Sequence, residues 1–196
     1  MLAAVPAVML ADLRRRYGEP QRYYHDWTHI EALLGHFASA HDLVQDHSAV
    51  LHAILFHDAI YDPRAKDNER RSAELLVEAA PPISVDSLML AKRMIEATEG
   101  HVLPADLAFR DREDCALFLD MDLGILGSDP ERFDVYEDQI RREYAYVPDD
   151  AFRNGRAAVL RHFADRDRLY FSDWGQDRFE TRARANIARS LASLEA

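Results

Sequence analysis

Apolar residues recur at intervals of three and four along most of the chain, with polar residues between them. This spacing is typical of amphipathic helices that bury one face. No segment shows the strict alternation of apolar and polar residues that marks a half-buried β-strand. The pattern predicts helices over 7–17, from about 25 to 37, and over 50–60, 68–79, 85–98, 115–127, 130–144, 149–163 and 177–194.

Residues that start or stop helices stand at several of these boundaries. Gly18 follows the first helix, and Gly100 follows the helix for which Ser84 is a suitable N-cap. Pro130 suits a first helical turn, and Asp149 is placed to cap the next helix. The chain has only 7 Gly and 8 Pro in 196 residues, which also favours helices. We therefore predict an all-α fold in a single domain, 1–196.

The stretch 50–60 is apolar almost all round a helical wheel and is predicted to be a buried helix. His57 and Asp58 stand side by side within it. A buried carboxylate needs a cation, a set of hydrogen-bond donors or a metal, because its isolated charge is costly in apolar surroundings. A functional site is one reading. The alternative is that Asp58 caps a local turn and His57 is an ordinary core histidine.

Two further histidines, His25 and His29, are four residues apart and would share one face of a helix. That spacing is common in metal sites, but it also occurs by chance. His29 falls at the edge of the apolar stripe and His25 falls at the helix entrance. Five other histidines share no such spacing and are predicted to be surface or packing residues: His36, His41, His47, His52 and His162.

The second apolar run that contains acids is 115–127. Asp120 and Asp122 are two residues apart, about 200° round a helix, so both cannot face one site. Asp122 shares its face with the bulkier apolar residues, and we predict that it is the inward, functional carboxylate. Asp120 is then a supporting or packing residue. Cys115, at the start of the run, is predicted to be a small core residue.

Four other polar residues each allow two interpretations. Glu69, in the first turn of its helix, is either a surface acid favoured by the helix dipole or a carboxylate near the site. His101, just past a helix end, is either exposed or reaches into a cleft. Arg141 and Arg156 could bind phosphate through two hydrogen bonds each, or could form surface ion pairs.

The charge of the chain limits its partners. A net charge of −11 and a pI near 5.2 argue against binding a nucleic acid duplex. One cysteine excludes an internal disulfide and a cysteine-based zinc module. The apolar residues 1–10 lack the basic segment of a secretion signal, and no stretch is long enough to span a membrane. We therefore expect a cytoplasmic protein with no membrane contact; its oligomeric state cannot be read from the sequence.

The order of these residues resembles the HD-domain superfamily of metal-dependent phosphohydrolases, and in particular one small bacterial branch of it. The resemblance covers about 22 to 186. The segments that carry it are Arg22-Tyr-Tyr-His25, Thr28-His-Ile30, Phe56-His-Asp-Ala-Ile-Tyr61, Asn68-Glu69, Ala97-Thr98, Asp120-Met-Asp-Leu-Gly-Ile-Leu-Gly127, Ile140-Arg141, Glu143-Tyr144 and Gly155-Arg156.

The resemblance implies an HD-type helical bundle that binds one divalent metal ion. The ligands it implies are His29, His57, Asp58 and Asp122. Two imidazoles and two carboxylates suit Mn²⁺, Fe²⁺, Co²⁺, Ni²⁺ or Zn²⁺, with Mg²⁺ as a harder alternative, and do not select among them. The expected activity is hydrolysis of a small phosphate ester, for which a nucleotide is a candidate.

The resemblance also suggests roles for other residues. His25 matches the general acid of the cyclic-nucleotide phosphodiesterases in the superfamily. Glu69 would orient a water molecule or position His57. His101 would bind a second metal or contact phosphate. Three arginines are candidate phosphate ligands: Arg22, Arg141 and Arg156.

This chain departs from parts of the family pattern. The second-metal histidines of the two-metal relatives are incomplete, and the Gly-Tyr-Pro signature of the cyclic dinucleotide branch is missing. Those substrate classes are therefore in doubt. No P-loop, nucleophilic-serine motif or dinucleotide fingerprint points to another enzyme class. Two alternatives stay open: a non-catalytic nucleotide or metabolite sensor that retains the metal pocket, and a structural helical protein whose buried polar residues only fix packing.

Overall fold

The computed structural model describes residues 2–195, and within that range the chain forms helices and loops but no β-strand. This confirms the all-α prediction. Short 3₁₀ segments are Leu2–Ala4, His41–Leu43 and Leu123–Gly127. The α-helices are α1 (Ala7–Tyr17), α2 (Trp27–Ser39), α3 (His47–Phe56), α4 (Asn68–Ala79), α5 (Val85–Ala97), α6 (Phe109–Asp122), α7 (Pro130–Glu143), α8 (Asp149–Ala164) and α9 (Thr181–Leu194).

Helix α3 lies at the centre of the N-terminal half, in contact with α2, α4, α5 and α6. Every residue from Ala49 to Phe56 is buried, as the apolar pattern predicts. Because neighbours cover this helix on all sides, no face of it has to be polar. Its N-terminus is capped by Asp46, whose side chain accepts a hydrogen bond from the Ala49 N–H at 2.9 Å.

The prediction that this helix continues to residue 60 was wrong. It ends at Phe56, so His57 and Asp58 follow the helix instead of lying in its middle. The main-chain carbonyls of Asp58 and Ala59 accept hydrogen bonds from the Arg22 guanidinium, at 2.7 and 3.2 Å. Those carbonyls therefore have a partner other than a helical N–H, and the chain can turn while they stay satisfied.

Helix α6 is buried from Asp114 to Met121 and leads directly into the 3₁₀ segment Leu123–Gly127. Helices α7 and α9 pack on this segment, and α8 packs on α9. The chain before α9 makes a helical turn at Asp173–Gly175 and a π-helical turn at Gln176–Glu180. Gly175 lies so close to α6 that a Cβ atom there would overlap Oδ2 of Asp120.

Most of the other helix boundaries lie within three residues of the predictions. Helix α6 differs most, because it begins at Phe109, six residues before the predicted start, and the predicted part 123–127 is 3₁₀. Two smaller differences concern α8 and the last helix. The Ser84 side chain caps α5 by accepting a hydrogen bond from the Ser87 N–H at 3.0 Å. Pro148, not Asp149, occupies the cap position of α8, and the Asp149 carboxylate instead accepts a hydrogen bond from Arg141 at 2.6 Å. The last helix, predicted from about 177, begins as regular α-helix at Thr181 because the π-helical turn precedes it.

A cavity of about 970 Å³ opens between the two halves of the bundle. Its wall comes from the loop before α4, the ends of α5 and α6, and the facing sides of α7 and α8. Over residues 2–195, no helix has both the length and the apolar character needed to cross a membrane.

Candidate metal centre

Three side chains from three separate elements meet beside this cavity: Asp122 lines it, while His29 and His57 contact the Asp122 carboxylate without lining the cavity. His29 lies in the first turn of α2, His57 follows the last residue of α3, and Asp122 is the last residue of α6. Helices α2, α3 and α6 pack against one another, which brings these positions together although 93 residues separate the first from the last. One ligand atom from each lies within 4.8 Å of the others, so the group could hold a metal ion.

The distances within this group match those between ligands that share one ion. Nε2 of His29 is 3.1 Å from Nε2 of His57 and 3.1 Å from Oδ1 of Asp122. Nε2 of His57 is 3.4 Å from the same oxygen. Ligand atoms about 2.1 Å from a metal lie about 3.0 Å apart at a right angle and about 3.4 Å apart at a tetrahedral angle.

The hydrogen bonding of His57 also fits a cation in this group. Its Nδ1 lies 3.0 Å from the main-chain oxygen of Ile54, an atom that can only accept, so Nδ1 carries a proton. In the neutral ring, Nε2 then presents a lone pair towards His29 and Asp122. The His57 side chain is only 1% exposed, so water does not surround it. A proton or a metal ion among these atoms satisfies the lone pairs and the carboxylate together.

The pKa directions agree that this cluster favours a positive charge. Burial lowers the pKa of His57, but Asp58 and Asp122 outweigh burial and raise it well above its usual value. Burial opposes ionisation of Asp122, yet His57, His101 and His29 hold its pKa well below the usual range. For His29, burial dominates and the pKa is lowered. A carboxylate that stays ionised and an imidazole that stays neutral are both in the form that binds metals.

Asp58 and His101 flank the group. Oδ2 of Asp58 is 3.0 Å from Nε2 of His57 and 3.8 Å from Nε2 of His29. Nε2 of His101 is 2.9 Å from Oδ2 of Asp122, the oxygen that does not face the other two histidines. His101 has a φ of 45°, a left-handed conformation that few residues other than glycine adopt. The loop after α5 thus turns sharply where it places this ring against Asp122.

Asp120 is directed away from the metal group. Its Oδ1 accepts a hydrogen bond from the N–H of Phe171 at 2.7 Å, and its Oδ2 accepts from the N–H of Ser172 at 2.8 Å. The Ser172 hydroxyl donates to the same Oδ2 at 2.5 Å. Asp120 therefore ties the segment before α9 to α6, while Asp122, on the other side of the helix, faces the cavity.

His25 lies at the cavity wall next to the group and is held by Glu143. Nδ1 of His25 is 2.6 Å from Oε2 of Glu143, and the ring stacks on Tyr61 with centroids 4.3 Å apart. The Tyr61 hydroxyl donates to the same oxygen of Glu143 at 2.7 Å. Sequence reasoning assigned no role to Glu143. A signal was present, because this acid falls on the apolar face of α7, at helical spacing from Phe133, Tyr136 and Ile140.

Glu69 and the three arginines occupy different surroundings. Glu69 is half-buried in the cavity wall, where burial first, and Asp58 and Glu99 next, raise its pKa. Arg156 also lines the cavity, but its guanidinium is paired with Glu137. Arg141 bonds to the carbonyls of Tyr144 and Val147 and to Asp149, outside the cavity lining.

The Arg22 side chain is fully buried and does not line the cavity. Besides the carbonyls of Asp58 and Ala59, it bonds to the carbonyl of His25 at 3.0 Å and to Glu19 at 3.2 Å. Of the three arginines that the resemblance suggests for phosphate binding, the structure brings only Arg156 to the cavity. The histidines predicted to be packing or surface residues lie outside the metal group, although His162 lines the cavity.

Comparisons with protein-family models, with curated proteins and with solved structures found no match to this chain.

Proposed function

We propose that this protein is a metal-dependent phosphohydrolase of the HD type that acts on a small phosphate ester. The observation that carries the proposal is the convergence of His29 and His57 on Asp122, a residue that lines a large cavity. Asp58 would be the fourth ligand, since its carboxylate already lies 3.0 Å from Nε2 of His57. The ion would be divalent and of the Mn²⁺ to Zn²⁺ series, or Mg²⁺.

A divalent ion bound by these residues would supply a water of lowered pKa and would polarise a phosphoryl oxygen. The residues around it have separate tasks. His25, as an imidazolium, would donate the proton on Nε2 to the leaving oxygen of the ester and keep the proton on Nδ1, which Glu143 engages. The neutral ring that remains would then regain a proton on Nε2 from water. Glu69 would hold the attacking water by a hydrogen bond, and His101 would keep Asp122 oriented through their contact at 2.9 Å.

The cavity supports a substrate with one phosphate group and a largely apolar body. The Lys and Arg side chains in its wall are Lys66 and Arg156, and Arg156 is already paired with Glu137. Carboxylates outnumber these cations in the wall. In a substrate with several phosphates, the groups not bound to the metal would therefore be repelled by the carboxylates. The wall on the side of α7 and α8 is mostly aromatic and aliphatic, with Tyr136, Ile140, Tyr144, Phe152, Val159 and Phe163. A nucleoside monophosphate is one candidate, because it has a single phosphate group and a base whose flat faces can stack on aromatic side chains.

Elemental analysis of the untagged protein tests the proposal first, with wild type beside His57→Ala. We expect one equivalent of a transition metal per chain in the wild type and its loss in the variant. Phosphate release from a panel of monoesters, assayed with that metal, is the second measurement. No metal, even after reconstitution with Mn²⁺, Fe²⁺, Ni²⁺ and Zn²⁺, would refute the proposal. Tight binding of a monoester with no phosphate released over hours would instead favour a sensor.

A further inference from the structure

The carboxylate of Glu143 is the meeting point of five hydrogen-bond donors. Oε1 accepts from three successive main-chain N–H groups, those of Tyr23, Tyr24 and His25, at 2.7, 2.8 and 3.0 Å. Oε2 accepts from Nδ1 of His25 and from the hydroxyl of Tyr61. The side chain has no exposed surface, and it stands at the C-terminal end of α7, where a helix dipole disfavours an anion. Only a full set of donors makes a carboxylate stable in such a place.

This arrangement determines which nitrogen of His25 carries the proton. The main-chain N–H groups can only donate, so Oε1 is an acceptor. The carboxylate is ionised, since these donors outweigh burial and lower the pKa of Glu143 to about 2. Nδ1 of His25 must therefore be the donor to Oε2. Nε2, on the opposite side of the ring, makes no hydrogen bond to the residues that the structure describes, and it is the nitrogen left for the cavity.

Arg22 fixes the main chain of the same segment from the other side. Its Nη1 donates to the carbonyl of His25 and to the carbonyl of Asp58. One buried guanidinium thus links the residue proposed to donate a proton with the residue proposed to bind the metal. Glu143 and Arg22 together hold His25 by its main-chain N–H, its carbonyl and its ring, so the position of Nε2 relative to Asp58 is set.

We propose that Glu143 is a positioning residue: it keeps Nδ1 of His25 protonated, so that the proton the ring gains and gives up is the one on Nε2, and it directs Nε2 to the leaving oxygen of a substrate in the cavity. The role towards substrate rests on the proposed function, but the effect on the ring does not. A residue that only tied the segment 22–26 to α7 would need the bonds to the main chain. It would not need the bonds at Oε2, which serve two side chains that both line the cavity.

The test uses Glu143→Gln with nitrogen-15 NMR of labelled histidine, in protein without substrate, both metal-free and metal-loaded. The His25 signals are assigned by their loss in His25→Asn. In the wild type we expect the imidazolium at low pH and, once the ring has lost one proton at higher pH, a neutral ring protonated on Nδ1. In Glu143→Gln the amide oxygen can keep the main-chain bonds, but the amide nitrogen can only donate, so the proton should move to Nε2. A neutral wild-type ring protonated on Nε2 and not on Nδ1 would overturn the proposal, whether or not the variant folds.

Two esters with different leaving groups provide the kinetic readout. The alkoxide of an alkyl phosphate is a poor leaving group and needs a proton on its oxygen. The leaving group of 4-nitrophenyl phosphate, 4-nitrophenolate, is a stable anion and needs none. For Glu143→Gln we expect kcat on the alkyl ester to fall about 10²–10⁴-fold, with little change in KM, and kcat on the nitrophenyl ester to fall less than about tenfold. An equal loss on both esters would contradict a positioning role.

Asp114 offers a matched control. It is also a buried carboxylate that accepts main-chain hydrogen bonds, from Gln45 and Asp46 at 2.8 and 2.7 Å, and it does not line the cavity. Asp114→Asn should keep the His25 proton on Nδ1 and the wild-type ratio between the two esters. The same changes in both variants would show that Glu143 acts only through stability. If wild-type protein with metal hydrolyses no monoester, the proposed function fails, while the NMR result still decides whether Glu143 sets the ring.

Discussion

Nε2 of His29 lies 3.1 Å from Nε2 of His57, and neither side chain is more than 3% exposed. The other nitrogen of His57 donates to a main-chain oxygen, so its Nε2 lone pair faces a second imidazole in a place that water does not fill. A shared cation, either a proton or a metal ion, would hold two such nitrogens together. Metal binding should therefore raise the stability of the folded protein. A protein whose buried polar residues only fix packing would show no such increase.

Metal removal should lower the melting temperature. A ligand that binds only the folded chain at a hundred times its Kd adds about 2.7 kcal/mol, which corresponds to about 5–10 °C for a domain of this size. Thermal unfolding followed by circular dichroism, with chelator and then with each divalent ion restored, measures the shift. His57→Ala is the control and should show none. Equal melting temperatures for chelated and metal-loaded wild type would contradict the site.

The neighbouring acids of α6 should separate metal binding from packing. Asp122→Asn should lose bound metal, because the amide is a poor ligand and presents a donor to His29 or His101. Asp120→Asn should keep the metal but destabilise the fold by about 1–3 kcal/mol, since its amide nitrogen would face the donors at Phe171 and Ser172. Metal content and urea unfolding of both variants are the measurements. Loss of metal in Asp120→Asn with metal retained in Asp122→Asn would reverse the assignment.

The stability of the metal-free protein should depend on pH through Glu143. Its donors overcome burial and lower its pKa to about 2, below the ordinary value of 4.5. An acid whose pKa is lower in the folded protein than in the unfolded chain stabilises the fold at pH values above the unfolded-state pKa. This stabilisation is lost as the pH falls to the folded-state pKa. We expect a loss on the order of 3 kcal/mol between pH 4.5 and 2. Urea unfolding across this pH range measures the free energy of unfolding, which should change less with pH in Glu143→Gln than in the wild type. An equal pH dependence in the two proteins would contradict this role of Glu143.

A pair of glycines tests the close approach of the segment before α9 to α6. In Gly175→Ala the new Cβ would overlap Oδ2 of Asp120, so either that carboxylate or the main chain must move. The expected loss is about 2 kcal/mol or more. Gly35→Ala is the control: nothing lies within 4 Å of a Cβ there, in the middle of α2, and the change should stabilise by about 0.5–1 kcal/mol. Chemical unfolding measures both.

Much of the fold could be predicted because helical periodicity is a local property of the sequence. The metal group could be anticipated for a related reason: His57 and Asp122 are polar residues in stretches that are otherwise apolar, and such residues need a partner. The end of α3 at Phe56 could not be predicted, because the residue that satisfies the carbonyls after it is Arg22, 36 positions away from Asp58. Glu143 was missed because its donors are main-chain groups, a histidine and a tyrosine that are all more than eighty residues away in the sequence.

Arg22 offers the last test, since phosphate binding and main-chain positioning predict different results for Arg22→Lys. A lysine keeps the charge, so a phosphate ligand would be partly replaced and the main effect would be a higher KM. A lysine cannot reproduce the fork that reaches the carbonyls of His25, Asp58 and Ala59. Leaving buried carbonyls without donors costs about 1–3 kcal/mol each.

We therefore expect Arg22→Lys to lower the free energy of unfolding by at least about 2 kcal/mol and to weaken metal binding, with KM for a monoester nearly unchanged. Urea unfolding, metal titration and steady-state kinetics measure the three quantities. Arg156→Lys is the comparison, because Arg156 lines the cavity and its substitution should act on KM first. A variant of Arg22 with wild-type stability and a raised KM would return this residue to the phosphate-binding role that the sequence suggested.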